Sequence, residues 1–195
     1  MISKSKNFKC KLICELDLFQ IYLDNLKNKE KINIKVIAVT GTNGKSTTVS
    51  LIHHILKSNN YKSSLIGNIG KSIFDAKDFK EGYYVVEVSS YQLELSKIFS
   101  PDISVILNFS SDHLSRHKSL KNYLNQKLKI LKNKNYNHLT IINNNHPLLK
   151  AELKKITKSF SSDILIFDFD KKFLKTYSKK NKSIRKKLLK KIPIK

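Results

Sequence analysis

The sequence is poor in cysteine and arginine, and it has no long hydrophobic run. Its two cysteines, Cys10 and Cys14, are too few for a zinc cluster, so we expect free thiols in a reducing compartment. No apolar run approaches the ~18 residues that a membrane helix needs. The basic N-terminus also lacks an apolar stretch of signal-peptide length. These absences predict a cytoplasmic protein without membrane insertion.

The charge balance is strongly positive, with a formal net charge of +23. Only Arg116 and Arg185 are arginines, so nearly all of the positive charge is lysine, spread along the whole chain. Proteins that read nucleic acid rely on arginine forks and interleaved aromatic side chains. We therefore expect no specific nucleic-acid partner. A non-enzymatic basic protein that binds nucleic acid or an acidic partner through its lysines remains an alternative.

Six short runs rich in β-branched and apolar residues predict buried strands. Segments with helical spacing separate several of them, including an apolar stripe after residue 48 and another over residues 120–131. Continuous hydrophobic strands alternating with helices predict a three-layer α/β/α fold with a mostly parallel sheet. The predicted strands are residues 36–40, 63–67, 83–88, 103–109, 138–143 and 164–169.

A glycine-rich segment, VTGTNGKSTT at residues 39–48, lies between a predicted strand and a predicted helix. Strand, glycine loop and helix together are typical of a phosphate-binding loop, in which backbone N–H groups and the helix dipole converge on phosphate. Lys45 would reach the β- and γ-phosphates, and the Ser46 hydroxyl would hold a magnesium ion. The usual loop has a glycine where Val39 stands here. A plain glycine turn is the alternative.

Polar side chains follow three other predicted strands, at the edge of a parallel sheet where ligands bind. Asn68 follows the second strand, in a segment that could be a plain glycine turn. Glu87 closes a very apolar run, so we expect it to have a cation partner; a structural salt bridge is the alternative. Asp112 and His113 follow a fourth strand, where a helix-capping aspartate beside a surface histidine is the alternative.

Lys127 stands on the apolar stripe of the second helical segment, three residues after Leu124. A lysine in this place either has a function or packs its stem along the helix and reaches out to solvent.

The segment TGTNGKS at residues 40–46 resembles the shortened nucleotide loop of the Mur ligase superfamily. Three further motifs resemble the branch that adds D-glutamate: GNIG at 67–70, VVEVSSYQLE at 85–94 and LNFSSDHLSRH at 107–117. YLNQKLKI at 123–130 resembles the segment whose lysine is carbamoylated in this family. The resemblance implies ATP and two Mg²⁺ ions as cofactors. It implies ATP binding by Gly41, Thr42, Asn43, Gly44, Lys45, Ser46 and Thr47. It implies substrate binding by Asn68, Ser89 and Ser90. It also implies metal ligation by Ser46, Glu87, His113 and carbamoylated Lys127, and catalytic roles for Lys45, His113 and Lys127.

The activity implied is ATP-dependent, amide-forming ligation of D-glutamate to UDP-N-acetylmuramoyl-L-alanine through an acyl phosphate, in peptidoglycan synthesis. Another acceptor, as in folylpolyglutamate synthase, is the alternative within the superfamily. The resemblance covers about residues 14–160. We expect residues 1–30 to be a linker remnant of a missing UDP-binding domain, residues 31–170 to be the central ATP-binding domain and residues 171–195 to be a basic tail, either a frayed helix or disordered. The chain is then a monomeric gene fragment or a piece of a split enzyme.

Overall fold

A computed structural model describes residues 13–29, 32–69, 71–75, 80–131, 138–143, 146–159, 163–168 and 173–177. Six helices and seven strands lie in these ranges, with short 3₁₀ turns at Ile73–Asp75 and Lys129–Leu131. The helices are α1 (Glu15–Lys29), α2 (Lys45–Ser58), α3 (Ser90–Leu95), α4 (Leu114–His117), α5 (Leu120–Leu128) and α6 (Pro147–Ser159). The strands are β1 (Asn33–Thr40), β2 (Ser63–Gly67), β3 (Glu81–Glu87), β4 (Ile103–Ile106), β5 (Leu139–Asn143), β6 (Asp163–Asp168) and β7 (Phe173–Tyr177).

The seven strands form one sheet in the order β2-β3-β1-β4-β5-β6-β7. The first six are parallel to one another, and β7 is antiparallel to β6. All six predicted strands are present, so the predicted α/β fold with a mostly parallel sheet is confirmed. The seventh strand lies within the predicted basic tail; residues 178–195 of that tail lie outside the described residues.

Alternate residues of the inner strand β1 face two separate hydrophobic layers, because side chains of a strand point to opposite faces of a sheet. Val36 and Ala38 belong to the larger layer, which also contains α1 and α5. Val39 belongs to the smaller one, where Val49 of α2 packs. The sheet is therefore covered on both faces, as continuous apolar strands require.

Helix α1 was not predicted from the sequence. Its residues Leu16, Phe19 and Leu23 are buried in the larger layer. Asp17 is also buried and accepts hydrogen bonds from the Ser96 hydroxyl at 2.6 Å and from backbone N–H groups after α3. Residues 15–29 are thus packed against the sheet domain; the assignment of residues 1–30 to an interdomain linker stays a prediction.

The sheet brings the ends of β1, β3 and β4 to one edge. Val39 pairs with Glu87, and Thr40 pairs with Ile106. The loop that follows β1 therefore emerges between the last residue of β3 and the residues that follow β4. Among the described residues, no helix is both long and apolar enough to cross a membrane.

Candidate active site

The glycine loop, residues 41–44, ends in a left-handed residue that starts helix α2. Gly44 has a φ of 78° and is the N-cap of this 14-residue helix, without a side-chain cap. Because a Cβ is strained in this conformation, glycine is favoured here. No acidic side chain occupies the first turn. The free N–H groups and the positive end of the helix dipole thus meet at a site suited to an anion.

Val39, which replaces the first glycine of the usual loop, lies inside β1. Its side chain is fully buried, and it pairs with Glu87 on one side and Val105 on the other. The strand continues to Thr40, so the loop is shorter than the usual one. A valine is therefore compatible with this loop, since its position belongs to the sheet.

Two lysine side chains meet at one carbonyl group of the loop. Lys45 Nζ donates to the carbonyl oxygens of Gly41 at 3.1 Å and Thr42 at 2.9 Å. Lys127 Nζ donates to the same Gly41 oxygen at 2.8 Å. The structure thus brings both predicted lysines to the glycine loop, although 82 residues separate them in the chain.

Lys127 is 1% exposed, and its Nζ lies 4.6 Å from the centre of the Tyr123 ring. Burial lowers the pKa of its amine to about 7, and the positive charge of Lys45 acts in the same direction. A lysine that reaches out to solvent would keep its amine exposed. That alternative is therefore wrong for Lys127.

Glu87 is 2% exposed and ends strand β3. Its Oε2 accepts from the Ser46 hydroxyl at 2.7 Å, and its Oε1 accepts from Asn68 Nδ2 at 3.2 Å. The expected cation partner is not found within the described ranges, where Glu87 forms no salt bridge. Two neutral donors hold the carboxylate instead: Asn68, which directly follows β2, and Ser46 of α2. Ser46, Asn68 and Glu87 thus form one cluster.

Tyr123 lies between His113 and the glycine loop. His113 is the N-cap of α4 with a φ of 54°, and its ring is 6.0 Å from the Tyr123 ring. The Tyr123 hydroxyl is 3.5 Å from Thr42 Oγ1. Asp112 accepts from the backbone N–H of His113 at 2.8 Å and lies 3.2 Å from its Nε2. His113 is exposed, on the same edge of the sheet as the loop.

Ser89 and Ser90 both have structural partners. The Ser89 side chain caps α3 by accepting from Gln92 N at 3.2 Å, and Gln92 Oε1 accepts from Ser89 N in return. Ser90 is buried, with its hydroxyl 3.1 Å from His117 Nε2. The substrate-binding role of these serines stays a prediction.

Sequence reasoning assigned no role to three residues that shape this site. Asn108 holds the backbone of the glycine loop, His117 is buried against Ser90, and Tyr123 lies between Thr42, His113 and Lys127. Position alone could have indicated two of them. Asn108 lies at the end of the predicted strand 103–109, and Tyr123 precedes Lys127 by one helical turn.

Oxygen ligands near the loop fit a magnesium ion. Mg²⁺ is usually held by one or two carboxylates together with phosphate oxygens and water. Ser46 and Glu87 supply a hydroxyl and a carboxylate side by side at the predicted phosphate position. Within the part of the chain that the structure describes, no group of three or more His, Cys, Asp or Glu side chains could hold a metal. An ion at this position would therefore depend on phosphate oxygens for further ligands.

Similar proteins include D-glutamate-adding ligases. The UDP-N-acetylmuramoylalanine–D-glutamate ligase of Wolbachia pipientis wMel is 45% identical over 131 residues, which are 67% of this chain and 24% of that protein. The ligase of the same name from Rickettsia prowazekii (strain Madrid E) is 38% identical over 165 residues, 85% of this chain and 35% of that protein. The chain thus spans about a quarter to a third of the length of these relatives.

The fold matches solved Mur-type ligase structures. MurF ligase from Thermotoga maritima in complex with ADP has a TM-score of 0.59 at 24% identity, covering 78% of this chain and 36% of that one. A folylpolyglutamate synthetase from Helicobacter pylori has a TM-score of 0.51 at 18% identity, covering 97% of this chain and 56% of that one. At these identities the likeness establishes the fold. The Mur ligase middle domain itself matches residues 39–192, and the chain belongs to the Mur ligase family.

Proposed function

We propose that this chain is the ATP-binding central module of a ligase that joins D-glutamate to UDP-N-acetylmuramoyl-L-alanine. The observation that carries the proposal is the Ser46–Glu87 pair beside the glycine loop and Lys45. Burying a carboxylate that is held only by neutral donors is costly, and a metal–nucleotide complex beside it would supply the opposite charge. The similarity to ligases of that name supports the choice of acceptor and amino acid.

Lys45 and the loop bind the triphosphate. In the free chain the Lys45 amine is bonded to the carbonyl oxygens of Gly41 and Thr42. On nucleotide binding it exchanges these partners for β- and γ-phosphate oxygens, which carry full negative charge. Ser46 and Glu87 would hold Mg²⁺, which supplies positive charge against the phosphates when bound.

Lys127 and His113 are proposed for a second Mg²⁺. The pKa of about 7 leaves much of the Lys127 amine neutral near physiological pH, and only the neutral amine adds to carbon dioxide. The product, a carbamate, replaces a cation by an anionic oxygen donor of the kind that magnesium prefers. His113 would be the accompanying ligand, since its ring and the Lys127 amine both lie near the Tyr123 ring.

The reaction follows from positioning and charge. The carboxylate of UDP-N-acetylmuramoyl-L-alanine attacks the γ-phosphorus of ATP, the bond to the bridging oxygen breaks, and ADP leaves. The amine of D-glutamate then attacks the acyl phosphate carbonyl, phosphate leaves, and the nitrogen loses a proton as the amide forms. Lys45 and the loop amides stabilise the charge that develops on the transferred group. No protein nucleophile is required.

The remaining contacts to both substrates belong to parts of such a ligase that lie outside residues 31–170. We propose that this segment acts as the ATP-binding domain, as a monomer in the cytoplasm. Asn68, Ser89 and Ser90 lie near Glu87 in the chain or in the fold and are the candidates for muramoyl substrate contacts.

Nucleotide binding by the 195-residue chain tests the proposal. Isothermal titration with ATP and Mg²⁺ should give saturable binding that Lys45→Ala weakens strongly, because one charge-assisted phosphate contact is lost. Binding that Lys45→Ala leaves unchanged would contradict the proposal. A shift of DNA mobility that depends on salt but not on Lys45 would favour the basic-protein alternative instead.

A second assay addresses the acceptor. ADP release is measured with UDP-N-acetylmuramoyl-L-alanine plus D-glutamate, and separately with a reduced folate plus L-glutamate. The first pair should stimulate ADP release above that of ATP alone. Stimulation by the folate pair only would assign the chain to the folylpolyglutamate branch.

A further inference from the structure

Asn108 lies two residues after the end of β4 and binds the glycine loop with its side-chain amide. Its Oδ1 accepts from the backbone N–H of Thr42 at 3.0 Å and from that of Asn43 at 2.9 Å. Its Nδ2 donates to the carbonyl oxygen of Asn43 at 2.9 Å. Two donors on one side and an acceptor on the other fix the orientation of the amide. One side chain therefore holds three consecutive peptide units of the loop, between Gly41 and Gly44.

Residues next to Asn108 in the chain also hold the first half of the loop, through backbone N–H groups and packing. The backbone N–H of Leu107 donates to the Thr40 carbonyl at 3.0 Å, and that of Ser110 donates to Thr42 Oγ1 at 3.1 Å. At Gly41, a Cβ would lie 3.1 Å from the Cβ of Leu107, which is tighter than ordinary packing allows. Hydrogen bonds and packing against residues 107–110 thus hold residues 41–43 in place.

These bonds divide the amides of the loop into two groups. The N–H groups of Thr42 and Asn43 point at Asn108 and are already used. The next group begins at Gly44, the helix N-cap, and continues into the first turn of α2, where backbone N–H groups have no acceptor within the helix. From Thr48 onward, the N–H groups are bonded within the helix, starting with the bond to Gly44 O at 3.0 Å.

We propose that Asn108 is a positioning residue for nucleotide binding: it fixes the first half of the loop, so that only the amides of Gly44 to Thr47 bind phosphate. This inference rests on the proposed ATP-binding function and deepens it. It also accounts for Val39. A loop in which β1 extends to Thr40 has fewer residues to wrap around phosphate, and a side chain from the segment after the neighbouring strand supplies the bonds that order it.

The amide chemical shifts of the ¹⁵N-labelled chain test directly whether only the second group of loop amides binds phosphate. On addition of ATP and Mg²⁺, the amide protons of Gly44, Lys45, Ser46 and Thr47 should move downfield as they bond to phosphate. Those of Thr42 and Asn43 should stay nearly constant, because they remain bonded to Asn108. Shifts of Thr42 and Asn43 as large as those of the second group would overturn the proposal.

Substitution gives the second measurement. Asn108→Ala should raise the Kd for ATP and Mg²⁺ about tenfold, equivalent to 1.4 kcal/mol, because the loop must then be ordered during binding. Asn59→Ala is the matched control: it removes one exposed side-chain bond, to Ile55 O, at the far end of α2, and should leave the Kd unchanged.

The outcomes separate this inference from the function on which it rests. If Lys45→Ala weakens binding while Asn108→Ala does not, the positioning role is wrong and the nucleotide-binding function stands. If the wild-type chain binds no nucleotide, both are wrong.

Discussion

Ser46 Oγ lies 2.7 Å from Glu87 Oε2 and joins the first turn of α2 to the last residue of β3. The two residues are 41 positions apart in the chain, and the parallel pairing of β1 with β3 brings them together. With Asn68 on its other oxygen, the buried carboxylate has two neutral hydrogen bonds. Such bonds offset only part of the cost of burying a charge. A cation bound beside Glu87 would therefore stabilise the folded chain further.

Replacing Glu87 by glutamine should have opposite effects with and without magnesium. Glu87→Gln keeps an oxygen for Ser46 and removes the buried charge, and its new N–H₂ group can donate to Asn68 once the Asn68 amide turns its oxygen inward. In EDTA its free energy of unfolding should therefore be equal to that of wild type or up to about 1 kcal/mol higher. With Mg²⁺ and ATP, the variant should gain much less stability than wild type, because binding to the folded state is weaker. Urea denaturation under both conditions measures the two differences.

Glu94→Gln is the control for that experiment. Glu94 pairs with Arg116 at 3.1 Å on the surface, and an exposed pair contributes little to stability. The control should respond to Mg²⁺ and ATP as wild type does. A Glu87→Gln variant that shows the full ligand-dependent gain would contradict the proposed role of Glu87 in metal binding.

Much of this arrangement could be predicted from the sequence, because strand patterns and chain direction determine which residues share an edge. Lys45, Glu87 and His113 each follow or end a hydrophobic run, and parallel strands place such residues on one side. Helix α1 was missed although its buried residues Leu16, Phe19 and Leu23 recur at helical spacing, because the segment was interpreted as a linker. Strand β7 was missed because it is short and lies in a lysine-rich segment. Asn108 and His117 were not assigned roles because their partners, Thr42 and Ser90, become neighbours only after the sheet and helices pack.

Lys127 should make the stability of the free chain depend on pH. Its folded-state pKa of about 7 is below the ordinary value of 10.5. As pH falls from about 10 to 7, the unfolded chain binds a proton that the folded chain does not, so the free energy of unfolding decreases by about 1.4 kcal/mol per pH unit. Below pH 7 both states are protonated and this contribution is constant.

Lys127→Met tests that dependence by chemical denaturation of the unmodified chain between pH 6 and 10. The variant should lack the decrease, so that its stability relative to wild type rises as pH falls to 7. Lys121→Met, an exposed position on the same helix, should keep the wild-type curve. Parallel curves for wild type and Lys127→Met would show that the buried amine keeps its proton throughout this range.

The serines at the start of α3 should differ in their contributions to stability. Ser90→Ala leaves the buried His117 Nε2 without its partner, which costs about 1–3 kcal/mol. Ser89→Ala removes a helix cap and costs about 1 kcal/mol. Thermal or urea unfolding gives both values, with the exposed Ser115→Ala as reference. If Ser90→Ala is as stable as the reference, the Ser90–His117 contact contributes nothing to the fold.

Gly67 connects the stability of the sheet edge to the position of Glu87. It has a φ of +104°, and a Cβ on it would overlap the backbone carbonyl oxygen of Glu87, its partner in β3. Gly67→Ala should therefore lower the free energy of unfolding by about 2 kcal/mol. It should also weaken binding of ATP and Mg²⁺, because the end of β3 that carries the Glu87 carboxylate must shift.

Gly82→Ala is the matched control. It strains the opposite end of β3, where a Cβ would overlap the Lys62 carbonyl, and should cost similar stability without changing nucleotide affinity measured well below the melting temperature. Equal affinities for both variants would mean that the position of Glu87 does not limit binding.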